Sequence, residues 1–372
     1  MTESAAATFK RLAELEPPVR PATVLTTACV LGGSIAGLLA ARVLADHAQR
    51  VIVVERDVVN VEGHSRPGVP QDRQVHTLLP GGLNWLERWL PAFIPRVEQG
   101  GGVLVPAGRG LHYTDGRPEA ALGCTDRLLT ASRPFLESCI RSSVLALPNV
   151  TTVRSQAARL DYRDGNVSGV RTGPGEILAA DLVVDAMGRA SRLADWLTED
   201  GYDRPPLERV HTGINYATAL FDRAASRPAD ALLTALALYS PPYPVDGVAV
   251  AAVNAIEDMR WIVMLMGSDY LRSAPDLNAP ASTFFARQKV IVDAAWAISA
   301  GGDMARLDAL NGAEVPEEVA RQRWAIAQLQ RAALVDGVVA TALHDVTFML
   351  AHPDTLADPI LLARAVAANQ AA

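Results

Sequence analysis

From residue 24 to residue 41 the chain carries no charged side chain, a run of eighteen residues. That length meets the crude requirement for a membrane span. Yet Gly32, Gly33 and Gly37 fall in its middle, and β-branched residues precede them. A buried strand, a glycine turn and a helix account for the same pattern, and this reading is preferred. A secretory leader fits poorly, because Glu3, Glu14 and Glu16 stand in the segment before it. Residues 26–31 read as a strand, 36–47 as a helix and 51–55 as a second strand. Together they make the opening βαβ unit of a doubly wound sheet.

Further along, a loop rich in proline and glycine is expected over 62–73. Helical patterns follow over 83–90 and 134–145. Two hairpin strands, 157–162 and 167–171, flank a turn at Asp164-Gly165-Asn166. Residues 182–185 read as a short parallel-type strand. Strand candidates at 213–221, 247–255 and 261–266 suggest a second, largely antiparallel sheet. From Ser282 onward the pattern is helical. Pro316 with Glu317 and Glu318 marks a helix start, and Ile326, Leu329 and Ala333 give that helix an apolar face. The expected architecture is α/β. A discontinuous Rossmann-like domain spans residues 23–200, which the resemblance drawn below makes an FAD-binding domain. An N-terminal arm (1–22) precedes it, with a short helix over 7–15. An antiparallel sheet (201–280), the substrate domain on the same resemblance, and a helical C-terminal region (281–372) follow.

Composition narrows the function. With 372 residues, 49% of them hydrophobic, the chain can bury a large core. A net charge of −7, with no basic block, argues against nucleic acid or anionic membrane as a partner. Cys29, Cys124 and Cys139 show neither a disulfide framework nor a zinc spacing, so no metal site is expected. The reducing cytoplasm is the expected location.

The candidate chemistry begins at Gly32-Gly33-Ser34-Ile35-Ala36-Gly37. A full dinucleotide fingerprint would have glycine where Ser34 stands. Gly32 permits the tight turn, Ser34 is small beside a pyrophosphate, and Gly37 lets helix and strand pack closely. Amides at the helix start then face the phosphates. Glu55 ends the second strand, eighteen residues after Gly37. Its carboxylate can accept the adenosine ribose hydroxyls and would repel a 2′-phosphate.

The turn with Leu38, followed by Val54-Glu55-Arg56-Asp57, resembles the FAD-dependent aromatic hydroxylases and epoxidases. It resembles most closely their actinobacterial branch that includes polyether epoxidases. Arg66-Pro67-Gly68-Val69-Pro70-Gln71 with Arg73-Gln74-Val75-His76 is similar to that branch's loop after the second strand. Ser132-Arg133-Pro134-Phe135-Leu136-Glu137 resembles the helix start whose arginine contacts the flavin's phosphate or ribose region. Residues 181–189 resemble the motif Asp-Leu-Val-Val-Asp-Ala-Thr-Gly-Arg, with Met187 in the threonine place, so any contact made by that hydroxyl is lost. The tail from Ser282 is also similar. The family's late Gly-Asp motif, which contacts the flavin ribitol, is not found. Gly267-Ser268-Asp269 comes too early and lacks the continuation.

The resemblance implies a flavoprotein monooxygenase that hydroxylates or epoxidises a lipophilic or aromatic small molecule. FAD and dioxygen would be required, with NAD(P)H as a transient donor. Cofactor contacts are expected from residues 32–37, Glu55, Arg56, Arg133, Asp185 and Gly188. Taken alone, Arg133 reads equally well as an exposed ion pair, and Asp185 as the cap of the Gly188 turn. Arg73 and His76 are weak catalytic candidates that could polarise a flavin or substrate oxygen; the plainer reading makes His76 the cap of the next helix. Trp85, Trp89 and Trp261 could line a substrate pocket, but core packing is the commoner role. Two further readings remain. One is a non-redox binding protein or cyclase of the flavoprotein fold. The other is an NAD-dependent dehydrogenase, disfavoured by the antiparallel middle region.

Overall fold

The computed structural model describes residues 4–58, 63–106, 110–114, 117–118, 127–204, 206–207, 214–223, 236–240, 249–268, 304–305, 307–309, 311–348 and 350–371. The uncharged run 24–41 folds as strand β1 (Leu25–Leu31), a glycine turn and helix α2 (Ile35–Ala45). Helix α1 (Ala5–Ala13) precedes them in the arm. Among the described residues no helix is long and apolar enough to cross a membrane.

A four-stranded, wholly parallel sheet runs in the order β12-β1-β2-β8. It adds β2 (Ala48–Glu55), β8 (Val150–Arg154) and β12 (Leu182–Asp185) to β1. Alternation along β1 and β2 decides what covers each face. Ala28, Val30, Val51 and Val53 face one core, with α2, α3 (Pro80–Trp89), α4 (Phe93–Gln99) and α5 (Arg133–Leu145). Cys29, Leu31, Ile52 and Val54 face the other, under the antiparallel sheet β11-β10-β9 and Trp196. That sheet comprises β9 (Ala157–Arg163), β10 (Asn166–Thr172) and β11 (Ile177–Ala179). Trp196 belongs to α6 (Leu193–Glu199). Burial lifts the Cys29 thiol pKa to about 12, so Cys29 is an inert core residue. Cys139 is also buried and free, and Cys124 lies outside the described residues.

Two smaller assemblies complete the fold. A three-stranded sheet pairs β3 (Thr77–Leu78) and β4 (Val103–Val105) with β7 (Leu128–Thr130). A six-stranded sheet runs β13-β16-β15-β14-β5-β6. Its members are β5 (Leu111–Thr114), β6 (Arg117–Pro118), β13 (Ile214–Asp222), β14 (Leu236–Ser240), β15 (Ala249–Ile256) and β16 (Arg260–Ser268). All its pairings are antiparallel except β5 with β14. The tail supplies α7 (Glu317–Ala332), α8 (Gly337–Thr347) and α9 (Pro359–Ala371), packed around Leu329, Val339 and Ala365.

The fold is therefore α/β, with parallel and antiparallel sheets and a helical tail, as the hydrophobic pattern indicates. Boundaries differ locally. Helix α2 stops at Ala45, where the pattern suggests His47, and β2 begins at Ala48. Asn149 Nδ2 donates to the carbonyls of Ala45 (2.8 Å) and Ala48 (3.0 Å), fixing the tight connection between them. The expected helix over residues 282–303 lies outside the described residues.

Candidate functional site

Strands β1 and β12 are neighbours, yet the chain leaves β1 towards β2 on the opposite side. This is the topological switch point at which open α/β sheets bind ligands. A cavity of about 510 Å³ opens there. Its lining brings together Gly32, Ser34, Ala36, Glu55, Arg56, Arg133 and Gly188, from four separate stretches of sequence. Arg66, Gln156 and Met187 join them. Gly33, Ile35, Gly37 and Asp185, by contrast, do not line it.

The glycines are dictated by close backbone approach. Gly32 has φ of +100°, and a Cβ there would lie 2.5 Å from Ala186 O. A Cβ on Gly37 would lie 1.8 Å from Gly32 O, so only glycine lets α2 start this close to the turn. Ser34 is the N-cap residue of α2, but its hydroxyl makes no capping bond. It donates to Glu137 Oε2 (2.5 Å) and accepts from Arg133 Nη2 (3.1 Å). The first-turn amides of α2 are thus left without a side-chain cap beside the cavity.

Glu137 gathers the cationic groups. Arg66 donates from Nε (3.0 Å) and Nη2 (2.7 Å), and Arg141 from Nη2 (2.7 Å), all to Glu137 Oε1. Arg141 also donates to Gly33 O (2.6 Å). Burial tends to raise the Glu137 pKa, but the Ser34 hydrogen bond and the Arg66 and Arg141 charges bring it below the ordinary value. Burial lowers the Arg133 pKa, and its Nε is buried with no acceptor among the described residues. Glu55 accepts from Gly33 N (2.9 Å) and Arg66 Nη1 (3.0 Å) on one oxygen, and from Asp57 N (3.0 Å) on the other.

The remaining candidates divide. Asp185 turns inward: it accepts from Met187 N (2.9 Å) and from the Ser191 hydroxyl, and so caps the Gly188 turn. Arg73 is exposed at the end of a short 3₁₀ turn, and neither it nor His76 lines this cavity. His76 is partly buried and does not cap the next helix, contrary to the plainer expectation, because Leu79 occupies that position. Its Nδ1 pairs with Gln74 O (3.0 Å). Since a carbonyl only accepts, Nδ1 carries the hydrogen. Burial is the first cause lowering the His76 pKa, and the Arg133 charge adds to it. Trp89 lies under the Arg42 guanidinium and Trp85 under that of Arg88. Trp261 packs in the core near Phe348, and none of the three lines this cavity.

Sequence reasoning gave Arg66 and Glu137 no role of their own, and did not consider Arg141. The readable signal was the spacing of Arg133, Glu137 and Arg141, which stacks three charges on one face of α5.

No family model matches the chain. It is 37% identical over 219 residues to Protein Rv3254 of Mycobacterium tuberculosis, a match covering 52% of this chain and 44% of that protein. The match thus spans less than half the length of that curated relative. A variant of P. aeruginosa PqsL superposes over 92% of this chain and 98% of its own, at TM-score 0.50 and 15% identity. The tetrameric form of 2-methyl-3-hydroxypyridine-5-carboxylic acid oxygenase covers 66% of this chain and 59% of its own, at TM-score 0.47 and 18% identity. Identities this low speak to architecture alone, and in architecture the chain shares the fold of PqsL.

Proposed function

We propose that the chain binds FAD at the switch-point cavity and acts as a flavin-dependent monooxygenase on a lipophilic or aromatic small molecule. Dioxygen is the co-substrate and NAD(P)H the transient electron donor. The reading is carried by one observation: Gly32, Ser34 and Ala36 of the turn, with Glu55, Arg133 and Gly188, converge on a single cavity of about 510 Å³. The uncapped start of α2 and the orphaned Nε of Arg133 suit a diphosphate. Glu55 is poised at the strand end to accept ribose hydroxyls, and Arg56 lines the outer wall.

FAD, when bound, supplies the oxygen-activating redox chemistry. The chain's own part is to grip the diphosphate and ribose, orient the substrate and exclude water. His76 is held at Nδ1 by Gln74 O, and its own carbonyl accepts from Asn254 of the antiparallel sheet. No protein nucleophile is required.

The non-redox reading rests on the departure at the Gly-Asp motif. Gly267 pairs with Asn215 of β13 and Ala249 of β15, inside the antiparallel sheet. Visible absorbance of the purified protein decides between the readings. Flavin bands near stoichiometry, native or after adding FAD, are expected. A protein that stays colourless with excess FAD favours the non-redox reading. NADH oxidation without flavin favours a dehydrogenase. Glu55→Ala should weaken FAD binding about tenfold or more, through lost hydrogen bonds to the ribose. Unchanged uptake by that variant would remove the basis of the proposal.

A further inference from the structure

A second cavity, of about 410 Å³, lies between the six-stranded sheet and helices α7 and α8. It shares no lining residue with the dinucleotide cavity. Its floor follows from strand periodicity. His112 and Thr114 of β5, Leu236 and Leu238 of β14, and Ala252 and Asn254 of β15 are alternate residues on one face of three adjacent strands. Leu343, His344 and Thr347 of α8, with Phe348 just beyond, close it from above. The volume falls within the range of small-molecule sites, about 300–1,000 Å³.

Two features define what fits. Part of the wall is aromatic. The His112 and His344 rings meet edge to face at 5.5 Å, and His344 lies 5.3 Å from Phe348. His344 Nδ1 pairs with Ala340 O (2.8 Å), which fixes its ring plane. The second feature is Asn254, only 1% exposed. Its Nδ2 donates to Thr77 Oγ1 (2.8 Å) and to His76 O (3.2 Å). A carbonyl cannot donate, so the contact with His76 O settles which end of the amide is nitrogen. Asn254 Oδ1 is left as a held acceptor with no donor among the described residues.

We propose that this cavity binds an apolar ring compound carrying a hydroxyl or N–H group, whose hydrogen is accepted by Asn254 Oδ1. The site stands on its own geometry; naming its ligand as the oxygenation substrate rests on the flavin reading above.

Indole and N-methylindole separate the terms, since they differ in the donor hydrogen. Titration calorimetry on the whole chain, with and without added FAD, should show indole binding about tenfold tighter than N-methylindole. Asn254→Leu should abolish that preference. Because Asn254 also tethers residues 76 and 77, a second variant avoids the tether: Ala252→Phe fills the floor and should abolish binding of both compounds. Wild-type protein that binds neither compound, or both equally, overturns the proposal. So does an Ala252→Phe protein that binds like wild type. Indole binding that persists without FAD supports the site and leaves the flavin reading to the absorbance test.

Discussion

Glu137 shows how one side chain can organise the charged groups beside the switch-point cavity. Its carboxylate draws Arg66 and Arg141 together and takes the Ser34 hydroxyl, while Arg133 Nη2 stands 3.6 Å away. The side chains of Glu137, Arg66 and Arg141 are nearly buried, at 8%, 9% and 3% exposure. Removing the acid therefore strands guanidinium charge in a low-dielectric setting. Glu137→Gln should cost about 3 kcal/mol in urea denaturation at neutral pH. The pH dependence has a definite sign. The folded state holds this proton more weakly than the unfolded chain does, so the stabilisation is full above the ordinary glutamate range. It is lost as pH falls through that range towards the lower folded pKa. The gap between wild type and Glu137→Gln should narrow in acid; a gap that widened would contradict this account. Asn254, like Glu137, escapes sequence reading, because its partners lie some 177 residues away along the chain.

Among the elements, β1, α2 and β2 were legible because their residue types admit few alternatives. An uncharged run interrupted by glycines fits a strand, turn and helix better than one long helix, and Glu55 ends the second strand. The hairpin β9–β10 was legible from its turn, where Asp164 and Gly165 both have positive φ. Strands β5, β8 and β14 were not. Each is five residues or fewer and is defined by partners distant in sequence. The same contrast applies to α4 and α6, of seven residues each, too short to show a period. The β1–α2 junction carries a sharp prediction. Gly37→Ala puts a methyl group against the Gly32 carbonyl, which is backbone and cannot swing away. The turn must open, at a cost of about 2 kcal/mol or more. FAD binding should fall with it, measured by flavin fluorescence. Normal stability and affinity in this variant would mean that the close approach of helix and turn is not required.

At the level of the molecule, the parallel-sheet layers and the six-stranded sheet are stitched by specific bonds. Thr130 Oγ1 donates to Ala255 O (2.7 Å), Ser132 N to Glu257 Oε2 (2.9 Å), and Asn254 Nδ2 to Thr77 Oγ1 (2.8 Å). The Thr218 hydroxyl donates to Gln74 Oε1. One unfolding transition is expected on heating, and FAD at a hundred times its Kd should stabilise the chain by about 2.7 kcal/mol. Two well-separated transitions, only one of them moved by FAD, would show that the stitches are weak. Strand β5 has a wider consequence. It belongs to the first third of the chain yet forms part of the six-stranded sheet, bringing His112 and Thr114 to the floor of the second cavity. The two halves are woven rather than stacked. A chimera that exchanged residues 1–200 for those of another protein of this fold would, on the proposed reading, import one wall of the second chamber along with the switch-point cavity, so taste for substrate and hold on cofactor would change hands together.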